Sequence, residues 1–270
     1  MLTIEEIEAA IAQNAPGSWA VRETSVWRRL GEGGDGGLFG LRINDHQGKL
    51  KAAADDFDAL AAPPPPPRID WRTEDGGRLF GVRDQGLDCG ACVAFATTAT
   101  VESRHWIGHG SPIELSEAEL FHCNGGCCND GWGLAAGLNA ASNGMALLTD
   151  APWAANPTCA GAAAVIKVAS YAELANFDAK KRAVAKGPVV AGMTVFEDLS
   201  AYAGGIYRHV IGNARGYHAV CIVGYDDPDQ CWIGRNSWGT GWGEEGYFRI
   251  AYGECEIDNL PFYSCETQAL

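Results

Sequence analysis

The feature that most constrains this chain is a run of five consecutive prolines at residues 63–67. Proline has a fixed φ and no backbone N–H, so such a run fits neither a helix interior nor a central strand and forms a stiff polyproline II spacer. It separates an N-terminal segment, residues 1–62, from a larger part, residues 68–270. We therefore predict an N-terminal segment, a linker and one main domain.

The N-terminal segment opens on a predicted amphipathic helix, because Ile4, Ile7 and Ile11 recur at helical spacing after a Thr3 and Glu6 capping-box pattern. Apolar residues then partly alternate, which indicates extended chain at Trp19, Val21, Val26 and Trp27. Five glycines between residues 31 and 37 predict a mobile loop, and residues 49–60 are compatible with a second helix. So short and glycine-rich a segment cannot bury a large core, so we expect it to pack on the main domain.

Charge and cysteine content limit the classes of function. The formal net charge is -14, and nucleic-acid phosphates and anionic lipids repel such a surface, so neither partner is expected. The chain has no apolar run long enough to span a membrane, and its first residues carry Glu without any basic residue, unlike a signal peptide. Ten cysteines favour disulfides and an oxidising compartment. These indications disagree, so localisation stays open.

The main domain changes character halfway along. Its first half predicts helices over Cys92–Trp106, Ser116–Phe121 and Trp132–Ser142, the second of them opened by a capping-box pattern. Its second half predicts strands, which are Val189–Val195, His218–Tyr225, Cys231–Arg235 and Gly246–Ile250. We therefore predict an α+β fold with a helical subdomain at about residues 68–164, a β subdomain at about 165–270 and a cleft between them.

Cys92 is the candidate nucleophile. It stands at the start of a predicted helix after a glycine-containing turn, where free backbone N–H groups and the helix dipole favour a thiolate. The string Cys89-Gly90-Ala91-Cys92 fits the signature of one class of thiol enzyme, in which a His and an Asn follow about 130–150 residues later. His218 and Asn236 are the matching residues here.

Five separated strings together carry a family resemblance. They are Asp70-Trp71-Arg72, Val82–Gly86, Cys89–Cys92, Gly216–Val220 and Asn236–Gly239. The chain resembles the papain-like (C1) cysteine peptidases from about residue 68 to the C-terminus. The resemblance implies a papain-like fold, in which a helical subdomain and a β-barrel-like subdomain flank the active site. It also implies a monomer that acts on peptide or protein substrates without a cofactor or a metal.

The resemblance assigns a role to each matching residue. Cys92 attacks the scissile carbonyl as a thiolate, and His218 protonates the leaving amine. Asn236 orients the imidazole, and Trp238 shields that hydrogen bond from water. Gln85 and the Cys92 N–H are the expected donors to the oxyanion.

Three residues depart from the family pattern. Val93 stands where the family usually has Trp, which leaves a smaller side chain near the cleft. One residue is inserted at Leu87-Asp88, which is expected to affect the position of Gln85. Tyr217 precedes the histidine in place of a small or acidic residue and is expected to crowd the cleft.

The resemblance also implies a pocket for the P2 side chain, which belongs to the second residue before the cleaved bond. Gly131 is expected to pair with the P2 backbone. Gly192 and Ala219 are expected in the pocket wall, and Leu260 at its floor. Small walls, an apolar floor and no carboxylate favour Leu or Phe over Arg at P2, unless Tyr217 fills the pocket.

The resemblance also implies two disulfides, Cys89 to Cys128 and Cys123 to Cys159. Cys255 matches a family half-cystine whose usual partner is missing, so Cys265 or Cys231 is the alternative partner. Cys221 is expected to be a buried free thiol.

Three alternatives stay open at this stage. A peptide ligase or transpeptidase on the same fold would share the acyl-enzyme, and a catalytically silent member would bind peptides without cleaving them. The N-terminal segment is either an inhibitory prosegment or a permanent accessory that covers apolar surface.

Overall fold

The computed structural model describes residues 1–34, 38–43, 63–77, 81–153, 159 and 162–270. The helix predicted at residues 49–60 lies outside these ranges. The described residues form six α-helices, which are α1 (Ile4–Asn14), α2 (Ser25–Gly31), α3 (Cys92–His109), α4 (Glu117–His122), α5 (Leu134–Ala141) and α6 (Phe177–Val184). No described helix is both long and apolar enough to cross a bilayer.

The described strands form one sheet. They are β1 (Trp19–Val21), β2 (Arg68–Asp70), β3 (Met145–Ala146), β4 (Ala164–Glu173), β5 (Val189–Phe196), β6 (Tyr202–Tyr207), β7 (Ala214–Asp226), β8 (Cys231–Arg235), β9 (Tyr247–Ala251) and β10 (Phe262–Ala269). Their order is β1-β6-β9-β8-β7-β5-β10-β4-β3, and β2 pairs with β7. The 13-residue strand β7 is therefore hydrogen-bonded to β5, β8 and β2.

Two large cores lie within the described residues. One buries α1, β1 and α2 of the N-terminal segment together with β5 to β9. The other packs α3, α4 and α5 against β4, β5 and β10. The first two thirds of α3 are buried on all sides, from Cys92 to Ser103, as expected for a helix between a sheet and further helices. The expected packing of the N-terminal segment on the main domain is confirmed.

The predicted capping box at Thr3 is confirmed, with hydrogen bonds in both directions between Thr3 and Glu6. Strand β1 extends the sheet at the β6 edge, and the Trp19 ring lies 5.0 Å from that of Tyr207. The prediction of extended chain at Val26 and Trp27 is wrong. Both lie in α2, because the Thr24 hydroxyl caps this helix by accepting a hydrogen bond from the Trp27 N–H at 3.0 Å.

The predicted helices and strands of the main domain all exist, most of them with shifted ends. Helix α3 continues to His109 and ends where Gly110 adopts φ 75°. Strand β8 has the predicted bounds, and β7 begins four residues earlier than expected. The sequence did not indicate α6 within the strand-rich half, nor the sheet strand β2 within the helical half.

The proline run lies against the main domain. The Pro66 carbonyl accepts a hydrogen bond from the Tyr225 hydroxyl at 2.7 Å. The Pro67 carbonyl accepts one from the Asp227 N–H at 2.9 Å. These bonds hold the end of the linker beside β7 immediately before β2 begins.

Two disulfides are present, Cys89 to Cys128 and Cys123 to Cys159. Cys221 is a buried free thiol, as expected. The alternative pairing of Cys255 with Cys265 or Cys231 is wrong, because all three are free thiols. Cys255 packs in the core that includes the N-terminal segment, whereas Cys265 packs in the helical core.

Candidate active site

Cys92 is the first residue of α3, and its side chain is fully buried. The preceding residue, Ala91, has no side chain that caps the helix. The first N–H groups of α3 therefore stay available to an anion at the sulfur. The N–H groups of Ala219 and Gly40 also stabilise the thiolate form of Cys92, which brings the sulfur next to the residue that follows His218.

His218 lies on β7, and Asn236 directly follows the neighbouring strand β8. Their side chains meet in a hydrogen bond of 2.8 Å between His218 Nε2 and Asn236 Oδ1. His218 Nδ1 is buried without a partner among the described residues. The Trp238 ring lies 4.8 Å from the imidazole and is itself buried. This arrangement fixes the ring and leaves one nitrogen free for proton transfer.

Gln85 is buried, and both ends of its amide are bonded. Its Nε2 donates to the Cys89 carbonyl at 2.8 Å and to the Leu38 carbonyl at 3.3 Å. Its Oε1 accepts from the Ser237 hydroxyl at 2.6 Å, and its backbone N–H donates to the Ser237 carbonyl at 2.9 Å. Ser237 was not singled out in the sequence, although its place beside Asn236 was a usable signal.

The inserted residue at Leu87-Asp88 makes contacts with the N-terminal segment. Asp88 forms an ion pair with Arg29 of α2, and Leu87 packs against the core that contains this segment. The extra residue is therefore accommodated outward, and Gln85 keeps its bonds to Ser237.

Residues 38–43 of the N-terminal segment run through the cleft. On the helical side, the Trp132 N–H donates to the Gly40 carbonyl at 2.7 Å, and the Arg42 N–H donates to the Trp132 carbonyl at 2.9 Å. On the strand side, the Leu41 N–H donates to the Tyr217 carbonyl at 3.2 Å. The segment thus bonds to both walls, and Leu41 pairs in parallel with Trp132.

Gly40 lies in a slot that only glycine fits. A Cβ at position 40 would clash with the Gly90 carbonyl, and a Cβ at Gly131, where φ is 65°, would clash with the Gly40 carbonyl. In this structure Gly131 therefore permits close approach, while the backbone hydrogen bonds go to Trp132.

The Leu41 side chain marks a pocket beside this slot. A Cβ at Gly192 would lie 2.9 Å from Leu41 Cδ2, 3.6 Å from Leu260 Cβ and 3.8 Å from Leu134 Cδ1. Ala219 pairs with Gly192 across β5 and β7. Leu134 was missed in the sequence, although it opens α5 three residues after Gly131.

The structure places two of the three departures from the family pattern, Val93 and Tyr217. Val93 is buried within the helical core and packs against Gly137 of α5. A Cβ placed at Gly137 would lie 2.8 Å from Val93 Cγ1 and 3.7 Å from Trp132 Cε3. Tyr217 is half-buried against the same core, and its carbonyl holds Leu41. Leu41 therefore occupies the pocket with Tyr217 in place.

Burial changes the acidity of both reactive groups in the covered cleft. It raises the pKa of the Cys92 thiol to about 11, and nearby backbone N–H groups only partly oppose this rise. It lowers the pKa of His218 to about 4, and the hydrogen bond with Asn236 only partly opposes this fall. Both shifts disfavour charge, so the covered cleft favours a neutral thiol beside a neutral imidazole.

Comparison with known proteins identifies the family of this chain. The family model described as papain family cysteine protease matches residues 65–265. Ananain from Ananas comosus is 34% identical over 223 residues, which cover 77% of this chain and 64% of ananain. Cysteine proteinase 1 from Entamoeba histolytica is 34% identical over 218 residues, which cover 73% of this chain and 68% of the relative. The chain thus spans somewhat less than two thirds of ananain.

Solved structures are similar over nearly the whole chain. Procathepsin B S9 from Trypanosoma congolense superposes with a TM-score of 0.84 at 23% identity, covering 99% of both chains. A recombinant stem bromelain precursor superposes with a TM-score of 0.78 at 26% identity, covering 97% of this chain and 88% of that one. The predicted α+β, papain-like fold is confirmed. This chain belongs to the papain family of cysteine proteases.

The pKa shifts predict how Cys92 reacts with iodoacetamide. In the uncut chain, alkylation should be slow at neutral pH and still rising at about pH 10, because the thiolate is the nucleophile and its population grows up to the pKa. After cleavage near residues 60–68, the rate should rise and become level from about pH 5, because water re-enters and an ion pair with His218 can form.

Peptide mass measurements would follow Cys92, with the exposed thiol of Cys127 as an internal reference. Identical profiles before and after cleavage would contradict the role of burial.

Proposed function

We propose that this protein is a cysteine endopeptidase that cleaves peptide bonds through Cys92, His218 and Asn236 and is restrained by its own N-terminal segment. The observation that carries the proposal is the meeting of the α3 N-terminus with β7 and β8. Cys92 opens the helix, and the strands supply an imidazole already oriented by an amide oxygen.

In the proposed reaction the Cys92 thiolate attacks the carbonyl carbon, and the C–N bond breaks to leave a thioester. His218 Nδ1, which has no other partner among the described residues, gives its proton to the departing amine. Water then attacks the thioester and gives a proton to His218, and the C–S bond breaks to release the carboxylic acid and restore the Cys92 thiolate. Asn236 keeps the imidazole in the required orientation throughout.

The negative oxygen that forms during attack needs donors. Gln85 Nε2 and the Cys92 N–H are the proposed pair. The hydrogen bond from Gln85 Nε2 to the Leu38 carbonyl supports this role, because it is already directed at a carbonyl oxygen within the cleft. Loss of one such donor typically costs about 3–4 kcal/mol in the transition state. The buried Trp238 ring, 4.8 Å from the imidazole, supports its proposed role of keeping water away from the His218 to Asn236 bond.

Replacement of the nucleophile tests this proposal. Cys92→Ala, in a chain folded and then cleaved near residues 60–68, should lose hydrolysis of a fluorogenic peptide by a factor of about 10³ or more. The fold should persist, because α3 only loses one sulfur atom at its first turn. Cys127→Ala, which removes an exposed thiol outside the triad, is the matched control and should keep full activity.

Full activity in Cys92→Ala would contradict the mechanism. An added amine in the same assay separates the alternatives, since a ligase or transpeptidase would convert the acyl-enzyme to a new amide. Absence of turnover in the unmutated, cleaved protein would favour a silent peptide-binding member.

The direction of residues 38–43 supports an inhibitory role. A substrate must place its leaving amine beside His218 and its preceding residues toward the Gly192 pocket. The segment runs the opposite way: Phe39 lies beside the rings of His218 and Trp238, and Leu41 lies in the pocket. A peptide in this direction covers Cys92 without offering a correctly oriented bond.

Cleavage near residues 60–68 should therefore raise activity. Leu41→Glu should raise the activity of the uncut chain as well, because an unpaired carboxylate in an apolar pocket costs about 2 kcal/mol or more. Glu8→Ala, at an exposed position of α1, is the control and should change little. Equal activity of cut and uncut chains would indicate a permanent accessory instead.

The pocket supports a preference for a bulky apolar P2 residue. Gly192 and Ala219 leave room, and Leu134 and Leu260 add apolar surface, while the protein's own Leu41 already fits there beside Tyr217. Burial of a Leu or Phe side chain contributes roughly 1.5–3 kcal/mol. The close approach of Gly40 supports a position of the P2 backbone beside Gly131, although the segment's own backbone hydrogen bonds go to Trp132.

We expect Leu or Phe at P2 to be favoured over Arg by about tenfold or more in kcat/KM. A fluorogenic series that varies only P2 measures this ratio, and Gly192→Leu should reduce turnover of the Leu substrate by filling the pocket. Equal or better turnover with Arg would contradict the pocket assignment.

A further inference from the structure

The loop that supplies the pocket floor is tethered from outside the cleft. Residues 253–261, here called the floor loop, carry Leu260 to within van der Waals distance of the Gly192 position. The Pro261 carbonyl accepts the Gly192 N–H at 3.1 Å. The spacing between floor and wall therefore depends on where this loop is held.

The floor loop contains two consecutive residues in an unfavourable backbone conformation. Cys255 and Glu256 both adopt left-handed conformations, with φ of 52° and 56°. Residues with a Cβ are rarely found there, and consecutive examples persist only where surrounding contacts impose them. Tethers from neighbouring elements are therefore required.

Lys180 of α6 supplies the first tether. Its ammonium donates to the Leu260 carbonyl at 2.9 Å and to the Asp258 carbonyl at 2.8 Å. The side chain is 3% exposed, and Nζ lies 4.4 Å from the centre of the Phe262 ring. One buried cation thus binds two carbonyls of the floor loop, one of them on the pocket residue itself.

Packing alone does not explain a lysine at this position. Its ammonium forms no ion pair among the described residues, and burial lowers its pKa, so the charge is held at a cost. An apolar side chain would fill the space over Phe262 without that cost. Leu or Met would lack the N–H donors of Lys180, and these donors are what bind the floor loop.

Thr194 and Glu256 supply the second tether. Thr194 lies two residues after Gly192 on β5 and so on the same face of the strand. Its hydroxyl donates to Glu256 Oε2 at 2.5 Å. The Glu256 carbonyl accepts the N–H groups of Asn259 and Leu260, both at 2.9 Å. The pocket wall and the pocket floor are thereby joined through one side-chain hydrogen bond.

We propose that Lys180 is a positioning residue for substrate selection, which holds Leu260 against Gly192 and, with the Thr194 to Glu256 bond, sets the depth of the pocket. The inference rests on the proposed peptidase function and deepens it. Lys180 touches neither substrate nor the reacting atoms. Its loss should loosen the floor, lower discrimination between P2 side chains and leave the chemistry at Cys92 unchanged.

The first experiment uses the full chain with Cys92→Ala, which prevents self-cleavage, and measures hydrogen exchange by mass spectrometry. Lys180→Met keeps the length of the side chain and removes its donors. It should speed exchange of the Asn259 and Leu260 amides by about tenfold or more. Lys181→Met removes the neighbouring lysine, which pairs with Asp227 at 2.5 Å, and should leave these amides unchanged. Unchanged exchange in Lys180→Met would overturn the proposal.

The second experiment measures kcat/KM for Leu and Ala at P2, on proteins folded as full chains and then cleaved near residues 60–68. Lys180→Met should lower the Leu-to-Ala ratio by about fivefold, mainly through KM, with the rate of Cys92 alkylation unchanged. Thr194→Val removes the second tether with little change of volume and should lower the same ratio, which keeps the test decisive if Lys180→Met does not fold.

Failure of the proposed peptidase function and failure of the role of Lys180 would give different results. A wild-type enzyme that turns over neither substrate would refute the proposed function and the selectivity role with it. An active wild type whose P2 ratio is the same in Lys180→Met, Thr194→Val and Lys181→Met would overturn the inference alone.

Discussion

A buried cluster of charges connects the elements that carry the site. Arg83 binds Glu102 of α3 at 2.8 Å and Glu117 of α4 at 2.5 Å. It stands two residues before Gln85, and Arg235, whose charge also acts on both carboxylates, stands directly before Asn236. Such a cluster contributes little net stability, because desolvation offsets the attraction. Its consequence is geometric: the segments of Gln85 and Asn236 are fixed to the helix that begins at Cys92.

In the proposed function, burial of Cys92 and His218 under residues 38–43 is itself inhibitory. Residues 38–43 exclude water from Cys92 and His218, and the pKa values of the two groups move apart in the directions that disfavour charge. Obstruction of the cleft is therefore one part of the proposed restraint. The other is electrostatic, because the thiolate and the imidazolium form most readily where water or a substrate can solvate them.

The sequence predicted what local chemistry encodes and missed what depends on distant contacts. Cys92, His218 and Asn236 were singled out as candidates because each lies in a short, specific string, and α3 was predicted because its apolar residues recur at a helical period. Val26 was misplaced because the Thr24 cap outweighed the alternation around it. Lys180 gave no signal, and Ser237 gave only its place beside Asn236, since their partners lie 80 and 152 residues away in the chain. The Cys255 pairing failed because the sequence does not reveal which core a cysteine enters.

Docking of residues 38–43 and formation of the ion pair between Cys92 and His218 are thermodynamically linked. If the docked segment disfavours the ion pair, then formation of the ion pair must disfavour docking by the same free energy. Any condition that stabilises the charged pair therefore weakens docking of the segment, even when the segment's contacts with the cleft stay the same. The glycine slot opposes this, because Gly90 and Gly131 let the Gly40 backbone approach both walls closely. The balance between these two effects, one electrostatic and one steric, sets how firmly the proposed peptidase is restrained before cleavage.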